Sequence, residues 1–332
     1  MDVDGEGFEW ALPHDDWAEP SEGTDRDVRV VVAGIPLEVR DGFLYDRVPF
    51  ARFAHEPGLP GELERMRSAD PAAAREAREA VGSAMFHQGC RFPAGALAVP
   101  FLLRIAADPS THDRFSVLRL CALAARRDFW DDGSRPGLLR VAYADDDVRF
   151  ASDGSVQNWS IRATRDAVAA DADVVIGLLE DSDPPVREMA AYALAAASGR
   201  TREISAALHE RLRIEDDARV RACLVLAIAQ LAHEHDPDAT VAWARALWSD
   251  PTGPAEVRVS AALGWLCLVD DPAPDALRAV IEESVTPELH RLLSPTLWMR
   301  QVEDTGVDGL SHTLWQMLDP DTWPGPAPEP VF

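Results

Sequence analysis

The chain has 332 residues, a formal charge of −25 from 57 acidic and 32 basic side chains, and no lysine at all. That charge repels phosphate backbones and speaks against generic nucleic-acid binding. The missing lysine excludes a Walker A phosphate loop, Schiff-base chemistry and the standard kinase site.

The acidic surface reads either as a solubility device or as an attraction for a basic partner. Hydrophobic residues make up 47% of the chain, which suits a folded domain. The longest apolar runs, such as Leu97–Leu103, fall short of the roughly 20 residues of a membrane span. The opening MDVDGEGFEW lacks the basic and apolar regions of a signal peptide, so a cytoplasmic, unprocessed protein is expected. Cys90, Cys121, Cys223 and Cys267 are far apart and form no CxxC pair, which argues against a disulfide framework or a zinc site.

Residues 1–59 read as an acidic N-terminal arm. Through residue 60 there are 14 acidic residues and 5 arginines, with Trp10 and Trp17 placed where each can dock in a groove. Within the arm the β-branched run Val28–Val32, the turn Gly34–Pro36 and Leu37–Val39 read as a small β-hairpin. Helical pattern starts near residue 60 and continues to 319. Asp70 and Pro71 form an N-cap and first-turn pair, with Gly89 as the stop. The next helix, Pro93–Ala107, contains Pro100, which removes a hydrogen bond and predicts a kink. A further helix covers about 112–127. Residues 128–158 are rich in Asp, Gly and Ser and read as an irregular insertion, either solvated or carrying binding contacts. Paired helices follow, and residues 320–332 form a Pro-rich tail.

The pairs carry a repeat. DPPVREMAAYALAAA (183–197), DARVRACLVLAIAQL (217–231) and PAEVRVSAALGWLCL (254–268) align on Val186-Arg187, Val220-Arg221 and Val257-Arg258. Ala190, Leu224 or Ala261 lies four residues after each valine, and Ala193, Ala227 or Gly264 seven after it. Mostly small residues at these steps let a neighbouring helix approach closely. One helix pair cannot bury both its faces, so stacking is required.

This pattern resembles the HEAT repeats, including the short form of phycobilin-lyase-like proteins. The resemblance implies that each Val is core and that Arg187, Arg221 and Arg258 each contact an acid of a neighbouring repeat. The segment FHQGCRFPAGALAVPFLLRIAADP, with His87, Gln88, Gly89, Val99, Pro100, Phe101 and Leu102, is similar to one in bacterial, largely actinobacterial, HEAT-repeat proteins of uncharacterised function. The expected fold is therefore all-α: a HEAT-like α-solenoid, or armadillo-type superhelix, with a short N-terminal arm.

Three chemical readings compete with a plain scaffold. Deoxyhypusine hydroxylase, a HEAT solenoid, binds two irons through His-Glu dipeptides after the repeat's Val-Arg. Here those positions hold Glu188-Met189, Ala222-Cys223 and Val259-Ser260. His209-Glu210 and His233-Glu234 do not occupy matching positions, and His233-Glu-His235 alone is a weak chelator. Trp159, Arg162 and Arg165 imitate a fragment of an alkylpurine DNA glycosylase site, but the charge opposes duplex binding. His87 has no activated nucleophile beside it.

The expectation is a non-enzymatic protein-interaction scaffold with no cofactor and an unidentified, basic partner. A solenoid enzyme or metal-dependent protein is the alternative, and an immunity-type toxin inhibitor the third reading. The candidate contact residues are Trp130, Tyr143, Trp159 and Arg162 around the insertion, and Glu188 and Tyr192 on a second helix expected to line a concave face.

Overall fold

The computed structural model describes residues 22–53, 58–87, 90–127, 132–142, 154–235, 237–302 and 308–320. Among them the protein is all-α, with seventeen α-helices and one two-stranded pairing, Phe86–His87 against Cys90–Arg91. No helix among the described residues is long and apolar enough to cross a membrane.

The segment expected to be a hairpin is helical: α1 spans Val28–Ala33 and α2 Leu37–Asp41. The β-branched run favours a strand locally. Two features override it. The Asp27 carboxylate accepts the Arg29 amide at 3.0 Å as an N-cap. Val28 and Val32, one helical turn apart, are both buried in the main core. Residues 22–53 are therefore part of the folded body rather than an arm, and α1 packs on α5 (Pro93–Ala107) and α7 (Gly154–Ala170). Asp171, at the end of α7, clamps this segment down. It accepts from Arg40 of α2 at 2.8 Å and from Arg104 of α5 at 2.9 and 3.1 Å.

Next come α3 (Leu59–Arg65) and α4 (Pro71–Met85), the latter capped by Asp70, which accepts the Ala72 amide at 3.0 Å. Helix α4 stops at Met85, before the expected Gly89, because Phe86 takes up an extended conformation and starts the short strand pair. Gln88, Gly89 and the His87 side chain lie outside the described residues. Helix α5 runs through Pro100 and is buried over almost its whole length.

After α6 (Arg114–Ala124), α7 and α8 (Ala172–Gly177), the repeated helices appear as α9 (Pro184–Leu194), α11 (Ala218–His235) and α13 (Ala255–Leu268). They pack side by side, with α6 extending the row on α9. Helices α8, α10 (Thr201–Ile214) and α12 (Pro237–Ser249) each pack on the row member that follows them. Val186, Val220 and Val257 are buried, as are Ala190, Ala193, Leu224, Ala227 and Ala261. The row is tight at Gly264: a Cβ there would sit 2.8 Å from the Ala229 Cβ of α11.

The arginines of the repeat build a ladder. Arg187 donates through Nε and Nη2 to Glu215 at 2.8 and 2.7 Å, and its Nη1 donates to the Asp181 and Ser182 carbonyls at 2.8 and 3.3 Å. Arg221 repeats the arrangement one step on. Its Nε donates to Glu256 at 2.8 Å, and Nη1 to the Glu215 and Asp216 carbonyls at 3.3 and 2.8 Å. Each arginine thus ties its own helix start to the next helix pair. Arg258 departs from the pattern, with no carboxylate in ion-pair distance among the described residues. The regular pairing ends after α13, and Glu288 of the short helix α15 (Pro287–Leu293) pairs with its own neighbour Arg291 at 3.2 Å.

Burial alone would raise the Glu215 pKa, but hydrogen bonds from Arg187, Arg211 and the Asp217 amide outweigh it and hold the carboxyl at about 2, against 4.5 when free. Its contribution to stability is complete above 4.5 and disappears as the pH falls through about 2. Glu215→Gln is expected to cost about 3–5 kcal/mol at neutral pH. Urea melts should show this difference from wild type shrinking between pH 4.5 and pH 2. At Gly264, substitution by Val is expected to cost about 1–3 kcal/mol through overpacking. Adding Ala229→Gly should recover part of that loss in the same melts.

Candidate partner-binding face

The face of the α6–α9–α11–α13 row is where the sequence places Glu188 and Tyr192. Both are buried, because the chain covers this face itself. Helix α15 lies on α11 and α13. Beyond it α16 (Leu297–Arg300) sets Trp298 edge-on against the Tyr192 ring, with centroids 4.7 Å apart. The Trp298 indole N–H donates to Gln230 Oε1 of α11 at 2.7 Å, and Gln301 donates to the Tyr192 hydroxyl. From the other side Arg126 lies over the Tyr192 ring at 3.5 Å and donates to the Tyr192 and Ala122 carbonyls.

Arg126 is only 3% exposed. Burial pulls its pKa down, and the nearby charge of Arg165 adds to that. Ring and carbonyl contacts compensate for the missing water. Arg165 in turn pairs with Glu234 and donates to the Ala196 carbonyl at 2.8 Å.

Part of the expected insertion completes the cover. Leu138, Leu139 and Val141 are buried, and the Val141 carbonyl accepts the Arg127 amide at 2.9 Å. A Cβ on Gly133 would stand 2.6 Å from Val302 and 2.8 Å from the Thr313 hydroxyl, so this turn lies directly on the C-terminal segment. Arg135 reaches the Met317 carbonyl of α17 (Gly309–Leu318) at 3.3 Å and also donates to the Asp271 carbonyl. The insertion is also shorter than its sequence suggests, because α7 already begins at Gly154.

The buried Glu188 carboxylate makes an ion pair with the partly exposed Arg219. Burial raises its pKa, against the pull of Arg219, and burial likewise pushes up the Cys223 thiol beside it. The pair links α9 to α11, with the carboxylate buried and the guanidinium reaching toward solvent.

The other candidate residues are spread out. Trp159 and Arg162 lie one turn apart on α7. Trp159 is half-buried beneath Arg29, whose guanidinium stands 4.2 Å from the ring, and Arg162 is exposed. Trp130 and Tyr143 lie outside the described residues. The structure thus brings Glu188 and Tyr192 onto one helix and Trp159 and Arg162 onto another.

The histidines also separate. His209 stacks edge-on with Trp243 at 4.8 Å, and burial lowers its pKa, as it does for His233. His235 contacts the Ala197 carbonyl at 3.3 Å. Among the described residues no group of three or more His, Cys, Asp or Glu side chains is placed to hold a metal ion.

The Arg126–Tyr192–Gln301 and Trp298–Gln230 contacts were not read from the sequence. One signal was available: Gln230 is the single polar residue in the run Ala222–Ala232. A buried amide in such a run implies a hydrogen-bond partner from elsewhere in the fold. Replacing Gln230 with Leu leaves the Trp298 N–H without its acceptor and is expected to cost about 1–3 kcal/mol in chemical denaturation. The penalty should be smaller in a Trp298→Phe background, where no N–H is left unpaired.

Comparison with protein-family models, with curated proteins and with solved structures finds no match to this chain.

Proposed function

We propose that the protein is a non-enzymatic protein-binding scaffold of the HEAT-repeat type, an α-solenoid whose partner is a basic protein. The observation that carries this reading is the ladder of Arg187 to Glu215 and Arg221 to Glu256. Equivalent arginines of successive helix pairs make the same two kinds of contact, a carboxylate of the next pair and two carbonyls of their own approach loop. Side-by-side packing of α9, α11 and α13 fits the same scheme.

The formal charge of −25 favours a basic partner, and an immunity-type inhibitor of a basic toxin is the special case that this charge suits best. Because Glu188 and Tyr192 are covered, the contact surface is assigned to the α7 face bearing Trp159 and Arg162, next to the 128–158 insertion. Arg and Trp are favoured at the centres of interfaces.

The test is a pull-down from native lysate with the purified chain as bait. A specific basic protein is expected to be retained at low salt and released as ionic strength shortens the Debye length to about 3 Å near 1 M. Arg162→Ala, which removes the side chain without adding a negative charge that a basic partner would favour, should weaken retention, and thermal melts check that the variant is folded. Repeated failure to retain any protein, together with turnover of a small molecule, would overturn the proposal.

A further inference from the structure

The helix row has two kinds of interior. Between its helices the contacts are aliphatic and close, as where Gly264 meets Ala229. Under the cover formed by α15, α16 and α17 they are of another kind. On the row side stand Tyr192, Gln230 and, over the Tyr192 ring, Arg126; on the cover side stand Trp298 and Gln301. Trp, Tyr and Arg dominate the centres of contacts between proteins. The contact therefore has the make-up of an interface, although both sides belong to one chain.

The cover is also held as a ligand would be. Helix α16 has four residues, too few to persist without support. Among the described residues the backbone hydrogen bonds of 294–302 run only to other residues of the cover. The link to the row is made by side chains. Trp298 is 1% exposed and donates to Gln230 Oε1 at 2.7 Å, and Gln301, three residues on, donates to the Tyr192 hydroxyl. The fit is incomplete at one point. Gln230 is 2% exposed, yet its Nε2 amino group has no partner among the described residues. Permanent interiors pair such groups, and a contact that opens lets water do so.

We propose that this face is a second docking surface, which α16 occupies as a built-in stand-in for a segment of a protein partner. The face offers two acceptors, Gln230 Oε1 and the Tyr192 hydroxyl, and one unserved donor, Gln230 Nε2. The partner segment accordingly carries a tryptophan with a hydrogen-bond donor three residues later, the pattern of Trp298 and Gln301. A carbonyl placed for Gln230 Nε2 gives it an advantage over α16. This inference rests on the scaffold reading and adds a gate to it. The tethered α16 competes at an effective concentration in the mM range. Partner binding needs an open cover, and its apparent affinity falls with the fraction of chains that are open.

Two measurements test the gate without any partner from a lysate, so its failure is distinct from a failed pull-down. In native-state hydrogen exchange of the wild-type chain, amides of α15 and α16 are expected to exchange through an opening that leaves α9 and α11 protected. Exchange of all four helices only on global unfolding would overturn the proposal. A fluorescein-labelled peptide of residues 287–302 is then titrated into the full chain carrying Trp298→Ala, with thermal melts checking that the variant is folded. The peptide is expected to bind this variant at least about tenfold more tightly than wild type, whose face is occupied. Trp298→Ala within the peptide should abolish binding. If the Trp298→Ala chain does not fold, Gln301→Ala takes its place with the same expected order of affinities. Equal affinity for wild type and variant, no binding to either, or indifference to the peptide's tryptophan would each sink the idea. Sedimentation covers the remaining occupant: a wild-type dimer lost on Trp298→Ala would assign the face to a second copy of the chain and overturn the proposal too.

Discussion

The contact between Arg187 and Glu215 is the constraint on which the central half of the structure depends. Both side chains are almost wholly withdrawn from water, and the two bonds are parallel and bidentate. Withdrawing two charges is expensive, so such a pair adds little net stability over an apolar alternative. Its effect is on register. Glu215 accepts from Arg187 and Arg211 and from the amides of Asp216 and Asp217. That satisfies the carboxylate only if α9, α10 and the start of α11 are correctly placed. The next rung, Arg221 to Glu256, fixes α11 against α13 in the same way. A slip of one residue would leave a buried charge unpaired.

Asp171 has the matching role at the other end. It holds Arg40 and Arg104 together, and Arg104 also reaches Asp41 at 2.6 Å. One carboxylate thereby joins α2, α5 and the end of α7. Between the two charge centres the packing is apolar and continuous, from Val28 at one end to Met317 at the other. The face of the helix row is closed by the chain's own C-terminal segment and by residues 132–142. Two of its polar groups, Tyr192 and Gln230, bond to that C-terminal segment through Gln301 and Trp298, and Arg126 lies over the Tyr192 ring. A surface that would be open in a simple stack is here an interior.

Much of the helical plan was legible in the sequence. Asp70 before Pro71, and the Val-Arg repeat with small residues four and seven positions on, are local signals. Capping and helical periodicity act within a few residues of one another, so they survive without tertiary information. The hairpin reading of 28–39 failed because β-branched propensity is weak beside burial. Val28 and Val32 gain a core by being one turn apart, and Asp27 starts that turn. The expected exposure of Glu188 and Tyr192 failed for a different reason. A helix pattern shows which side of α9 is apolar. It does not show that Trp298, more than a hundred residues later, lies over the polar side.

The sequence by itself determined the all-helical class, the repeat spacing, the acidic charge and the absence of lysine chemistry, because each follows from composition or from contacts between near neighbours. Only the tertiary structure decided which acid receives each repeat arginine, that Arg258 has no acid partner among the described residues, and that the row's face is covered. Those outcomes depend on pairs such as Arg187 with Glu215, Trp298 with Gln230 and Arg40 with Asp171, which lie 28, 68 and 131 residues apart. Contacts over such distances are set by how the helices pack, and no local pattern in the chain encodes them.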